Sequence, residues 1–312
     1  MHHPVLSFSV SCLALLIISC GWSAEPLEGP GVPAQLEATV RLFSEDFSPR
    51  SYVDVKNLEL AASFIEKSFE QSHAKVEIQR FTVRGIVYKN IRAIYGNPEA
   101  PRWIVGAHYD AHKGTPGADD NASGVAGLIE LAHRLGEMPT PPSVEVVAYC
   151  LEEPPFFGSE QMGSYVHAKS LKENKTPVVG MLSLEMIGYF SDRKNSQHYP
   201  LPSLAKVYPD RGNFIAVISR MDQVAFTRQV HSAMQAGTDL PVEYLNGPEQ
   251  IPGIDFSDHR NYWTFGYPAV MITDTAFMRN QEYHRKGDTA DRLDYPRMAK
   301  VIDAVFHLLT RP

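Results

Sequence analysis

The chain has little cysteine: three residues in 312, of which Cys12 and Cys20 fall within the first twenty. That leaves Cys150 without an evident partner and excludes a disulfide framework as the organising principle. Cys150 sits in the apolar run VEVVAYCL, where a buried, inert thiol is expected. Positive charge is also scarce. Lys and Arg number 29 against 36 Asp and Glu, a net charge of −7. No basic field is available to meet phosphates, so nucleic acid is not expected as a partner. Apolar runs long enough to span a bilayer are missing too. No internal repeat and no composition shift marks a second domain.

The most apolar stretch, residues 5–18, has the length of a signal-peptide core. Its flank carries His2 and His3 but no Lys or Arg. It ends Ile17-Ile18-Ser19-Cys20, which resembles a bacterial lipobox and makes Cys20 a candidate lipidated first residue. The reading is a signal peptide over 1–20, a Gly- and Pro-rich linker over 21–33, and one domain over 34–312. The protein is expected to be exported, either free or tethered to a membrane through Cys20.

Within 34–312, strand-like and helix-like segments alternate. Helices are predicted over 34–47, 57–73, 122–136, 159–171, 224–236 and 295–310. On the second, Leu58, Ala62, Ile65 and Phe69 share a face. Strands are predicted over 76–83, 90–96, 102–110, 144–153, 178–188, 214–219 and 268–274. The alternation implies an α/β fold, a three-layer α/β/α sandwich around a mostly parallel mixed sheet. The proline-containing stretch 189–212 is long for a connection and is expected to lie over a functional face.

Ligands collect at the carboxyl ends of parallel strands. There the chain places His108 and Asp110, then Asp119 and Asp120 ahead of a helix, then Glu152 and Glu153, then Glu185, and finally His284 and Asp288. Nitrogen and oxygen donors of this kind suit zinc or a similar divalent ion. The carboxylates are too many for one catalytic zinc and about enough for two sharing a ligand. Adjacent Glu152 and Glu153 leave their strand in different directions, so one can bind metal while the other stays a free base.

In order along the chain, HYDAH, PGADDNASG, LEE followed by FFGSEQMGS, LEMIG, SDH followed by YPAVMI, and YHRKGDTADRLDY resemble the motifs of the M28 di-zinc aminopeptidases. The resemblance runs from about residue 100 to the C-terminus and implies the zinc-peptidase version of the sandwich. It implies two Zn2+ per chain, with His108 and Glu185 on one, Glu153 and His284 on the other, and Asp120 bridging. Glu152 would be the general base. Asp110 would orient His108 by accepting its other ring N–H, and Tyr283 would donate to the developing oxyanion. A cis peptide is implied at Asp120–Asn121. The family usually has Asp where this chain has Glu185, one methylene longer.

The implied activity is removal of N-terminal residues from a peptide substrate. Three other readings share the fold: a glutaminyl cyclase, which resembles this family but uses one zinc, a metallocarboxypeptidase, and a non-catalytic binding domain. Asp119 is expected to be a loop or capping residue and Asp288 to steady the His284 loop. Asp258 and His259 read as outer partners of the metal ligands or equally as a helix start, and stay outside the ligand set. His112, His133, His167, His198, His231 and His307 have no supporting pattern and are expected at the surface or in packing.

Overall fold

The computed structural model describes residues 31–311. The expected signal peptide, Cys20 and nearly all of the expected linker lie outside them. No helix among the described residues is long and apolar enough to cross a membrane.

Eight strands form one sheet: β1 (Lys75–Val83), β2 (Ile86–Tyr95), β3 (Arg102–His108), β4 (Val144–Tyr149), β5 (Val178–Glu185), β6 (Ile215–Arg220), β7 (Val242–Gly247) and β8 (Ala269–Thr273). Their order is β1-β2-β4-β3-β5-β8-β6-β7. The centre, β4-β3-β5-β8, is parallel. On one side β2 joins antiparallel to β4 and carries β1 as a hairpin. On the other, β6 runs antiparallel to β8 and parallel to β7. The mixed sheet agrees with the sequence reading. β7 was not predicted, because VEYLNG at the edge lacks a continuous apolar run.

The helices are α1 (Val32–Arg41), α2 (Val55–Gln71), α3 (Gly124–Gly136), α4 (Gly163–Glu173), α5 (Val224–Ala236), α6 (His259–Thr264) and α7 (Tyr295–Thr310). α1 begins inside the expected linker, with Pro33 in its first turn, where the missing N–H costs nothing. α4 begins four residues later than predicted. Residues 151–162 form turns that bring the Gly163 N–H onto the Cys150 carbonyl.

Period-two alternation sorts each central strand between two cores. Val105, Val146, Leu182, Ile215 and Val270 face a large core under α1, α2, α3, α5 and α7. Ile104, Val147, Met181, Ala216 and Met271 face a smaller core under α4 and α6. Cys150 is fully buried and, among the described residues, unpaired, as expected. The short helices α4 and α6 cover the β1-to-β8 part of their face. Over β6 and β7 the cover is loop, including residues 197–200, 208 and 251–256, and a cavity of about 90 Å³ opens there. The 189–212 stretch thus roofs this opening, as its length implied.

Candidate metal centre

β3 ends at His108, and its continuation must turn back over the strand end. Gly117 makes that turn with φ +63°, and a Cβ there would lie 2.4 Å from the Asp120 carbonyl oxygen. Arg50 braces the same loop. Its guanidinium is buried and donates to the carbonyls of Tyr109 (3.1 Å), Phe43 (2.9 Å), Pro116 (2.5 Å) and Gly117. Burial lowers the Arg50 pKa to about 10, against the pull of Asp288, Asp120, Asp110 and Glu153. Asp288 accepts the N–H groups of Asp119 (2.9 Å) and Asp120 (3.1 Å). It therefore ties the Asp120 loop to its own, rather than steadying the His284 loop alone.

The Asp120–Asn121 bond is cis. Asn121 then locks this unit to the end of β5. It donates to the Leu184 carbonyl (2.8 Å), while its own side-chain oxygen accepts from the N–H groups of Gly124 and Met186, each at 3.1 Å. Glu185 lies between Leu184 and Met186, so the bridge candidate and the β5 carboxylate are fixed relative to each other.

Two groups of candidate ligands result. In the first, His108 Nε2 is 3.4 Å from Asp120 Oδ1 and 3.3 Å from Glu185 Oε2. In the second, His284 Nε2 is 3.1 Å from Asp120 Oδ2 and 3.3 Å from Glu153 Oε2. Within each group the donor atoms lie within 4.8 Å of one another, close enough to share an ion. Asp120 belongs to both and gives one oxygen to each. Asp119 belongs to neither. It is buried, accepting from the Gly188 N–H and the Asn280 amide, each at 3.1 Å.

Glu152 Oε2 is 3.8 Å from His108 Nε2, beside the first group. The Asp110 carboxylate acts mainly on the glutamate pair: its two oxygens accept the N–H groups of Glu152 (3.2 Å) and Glu153 (3.1 Å). The His108 Nδ1 contact within hydrogen-bond reach is the Asp110 backbone carbonyl at 3.1 Å; its carboxylate is 3.6 Å away. The expected role of Asp110 is corrected accordingly. The β3 and β4 ends are held together because Asp110 is the acceptor for two successive backbone N–H groups.

The charges do not balance. Asp110, Asp120, Glu152, Glu153, Glu185 and Asp258 are all buried, and among them stand two imidazoles. Burial pushes Glu153 up to about 7, with Asp120 adding to it. Burial also pushes Glu152 far above the carboxylate range; His108 opposes this and Glu185 and Glu153 reinforce it. Burial opposes the charged form of His284, but Asp120 and Glu153 raise it to about 10. His108 Nε2 and Glu153 Oε1 are buried without a hydrogen-bond partner among the described residues. Orphaned donor atoms that converge among excess carboxylates fit divalent cations in both groups.

Ser257 and Arg50 were not singled out from sequence, and Asp258, His112 and Tyr283 make contacts at the centre that the sequence did not specify. Ser257 donates to Glu185 Oε2 at 2.7 Å and is itself 2.9 Å from the Ser183 hydroxyl, which fixes the longer glutamate side chain. Asp258, the next residue of the SDH motif, is fully buried and pushed by burial up to about 7. His112, expected in packing or at the surface, stacks on one face of His284 with centroids 4.1 Å apart. Tyr283 stacks on His284 at 3.8 Å. Arg50 carried no signal at all: it is one arginine, far along the chain from the residues it braces.

A family model, described as peptidase family M28, matches residues 90–309. The chain belongs to peptidase family M28. It is therefore an enzyme of the peptide-hydrolase class. As a member of M28 it is 50% identical over 285 residues to the uncharacterized protein YfbL of Escherichia coli, covering 89% of this chain and 87% of that protein. Leucine aminopeptidase 1 of Aspergillus oryzae is 26% identical over 209 residues, which cover 62% of this chain but 48% of that protein. The chain thus spans about half the length of that relative. Among solved structures, the Legionella pneumophila LapA aminopeptidase aligns with a TM-score of 0.68 at 19% identity, covering 89% of this chain and 73% of that one. A Bacteroides thetaiotaomicron glutaminyl cyclase aligns with a TM-score of 0.68 at 16% identity, covering 90% and 98%. The M28 fold is shared by both, so the fold does not separate the two activities.

Proposed function

We propose that this M28 member is a two-zinc aminopeptidase. The observation that carries the reading is the Asp120 carboxylate, whose two oxygens are divided between two complete ligand groups. His108 and Glu185 would hold one ion, Glu153 and His284 the other, with Asp120 shared between them. Zinc bound there supplies Lewis acidity toward the scissile carbonyl and lowers the pKa of the attacking water. Glu152 would act as general base toward the attacking water and then pass a proton to the leaving amine. Asp110 sets the direction in which Glu152 and Glu153 leave the strand. Tyr283, beside His284 and bordering the cavity, donates its hydroxyl to the oxyanion.

The direction of attack follows from charge. The cavity beside Glu185 is bordered by carboxylates and by no Lys or Arg. That suits a substrate presenting a free amine and disfavours one presenting a terminal carboxylate, as a carboxypeptidase requires. The presence of two ligand groups rather than one argues against a one-zinc cyclase, and retention of Glu152 against a non-catalytic domain. We further propose that the enzyme is exported and tethered through Cys20.

The test is metal analysis of purified protein beside a panel of aminoacyl chromogenic substrates, with and without chelator and with N-terminally blocked controls. Close to two zincs per chain and chelator-sensitive hydrolysis of free, unblocked substrates are expected. A single ion with cyclisation of N-terminal glutamine would replace this reading with the cyclase. Palmitate incorporation that disappears in Cys20→Ala checks the tether.

A further inference from the structure

The cavity over β6 and β7 carries one charge away from the metal centre, that of Glu243, and the sheet register fixes where it stands. Glu185 of β5 is level with Thr273 of β8, Thr273 with Ala216 of β6, and Ala216 with Glu243 of β7. Side chains at paired positions share a face. Glu185 and Glu243 therefore rise from one face of the sheet at opposite ends of a single row. Three strand spacings of ~4.8 Å separate their backbones by about 14 Å. Thr273 and Ala216, both small, fill the row between them, and all four residues border the cavity.

Most of the other walls are apolar or aromatic, with Phe214, Ile218, Leu245, Ile254, Phe256 and Met271 among them; Gln197, His198 and Thr275 are polar exceptions. Glu243 is half-buried there, and burial pushes its carboxyl up, with His231 opposing. The nearby tyrosine hydroxyls donate elsewhere: Tyr199 to the Pro209 carbonyl (2.6 Å) and Tyr208 to the Tyr244 carbonyl (2.7 Å). Among the described residues no Lys or Arg borders the cavity to neutralise Glu243, and no side chain donates a hydrogen bond to its carboxylate. A carboxylate partly withdrawn from water in this way is open to a ligand.

We infer that Glu243 sets substrate specificity: the trough receives the side chain of the first residue and selects a long apolar stem ending in a cation, lysine or arginine. Those side chains are apolar along the stem and charged at the head, matching apolar walls and a charged far end. An extended lysine side chain spans roughly 6 Å. Within the row, that leaves space for the substrate backbone beside Glu185 and for a charge-assisted contact at Glu243. The inference rests on the aminopeptidase reading and goes beyond it by naming the substrate class.

The experiment measures kcat/KM of the zinc-loaded enzyme on lysyl, arginyl, leucyl, tyrosyl and glutaminyl anilides, for wild type, Glu243→Gln and Glu243→Leu. Zinc content and Tm establish that the variants are folded. Wild type is expected to favour lysyl and arginyl over leucyl substrate by at least tenfold. Each variant is expected to reduce that ratio at least tenfold, mainly through KM. A wild type that prefers leucyl, tyrosyl or glutaminyl substrate, or a ratio unchanged in both variants, overturns the inference while leaving the aminopeptidase reading in place. Hydrolysis of no aminoacyl substrate overturns both.

Discussion

Glu145 near the start of β4 and the Glu152–Glu153 pair just past its end are all buried, yet their surroundings treat them in opposite ways. Glu145 accepts from Arg92 Nε (2.5 Å), Arg102 Nη1 (3.1 Å) and His167 Nε2 (2.9 Å). His167 in turn meets the Tyr262 hydroxyl at 2.7 Å, and Tyr262 meets Tyr149 at 2.6 Å. Burial alone would raise the Glu145 pKa, but His167 and Arg92 outweigh it and hold the carboxyl well below its ordinary range. Glu152 and Glu153 face other carboxylates, and their carboxyls are pushed up. A buried acid whose own chain supplies the counter-charge is a structural element. Buried acids left in excess call for a cation from outside, and such unbalanced groups mark functional sites.

If that contrast is right, substitutions at the two ends of β4 separate activity from stability. Glu152→Gln should lower kcat by ~10²–10⁴-fold, the usual contribution of a general base, with zinc content and Tm near wild type. A fully active variant would remove Glu152 from catalysis. Glu145→Gln should do the reverse. It leaves Arg102 buried with a lost partner, and the cost should be about 3–5 kcal/mol of stability, read by denaturant melts, with per-molecule activity retained. If Glu145→Gln instead abolished activity in folded protein, the two ends would not be independent.

Zinc removal sharpens the same point. Chelation should lower Tm and zinc should restore it, because ligand at ~1,000 times its Kd stabilises by about 4 kcal/mol. Insensitivity of Tm to chelation would mean that the excess carboxylates are tolerated without metal. Asp110→Asn, which weakens the clamp on the Glu152 and Glu153 N–H groups, should cost roughly 10–100-fold in activity or zinc affinity, as loss of an outer partner typically does. The smallest effect is in pH. Glu145 has a folded pKa below its ordinary 4.5, so its stabilisation is present above that value and fades as pH falls. The Tm gap between wild type and Glu145→Gln should therefore narrow below about pH 4.5; a gap that widened would contradict the assigned sign.

Much of the centre was legible in sequence. His108, Asp120, Glu153, Glu185 and His284 each follow a strand end or a tight turn, and local periodicity was enough to place them at one rim. What was not legible depends on partners far away in the chain. Asp110 was expected to hold His108, but its carboxylate lies against N–H groups forty residues on, and nothing local reveals that pairing. His112 and His167 looked alike as isolated histidines. One stacks on His284, and the other carries a hydrogen-bond chain to Glu145. The edge strand β7 was missed because a half-covered strand does not need an unbroken apolar run.

By itself the sequence determined the alternating α/β plan, the residues offered as ligands, and the choice of Asp120 over its neighbour Asp119. The plan and the cluster of donor types follow from spacing, periodicity and donor chemistry, all of which are local, and the choice of Asp120 from the resemblance of PGADDNASG to the M28 motif. Tertiary structure alone decided which acids are neutralised and which are left in excess, because that depends on whether an arginine or histidine from another element arrives within hydrogen-bond reach. It also decided that Glu243 stands level with Glu185 across four strands, since register is set by pairing between segments that the chain order keeps apart.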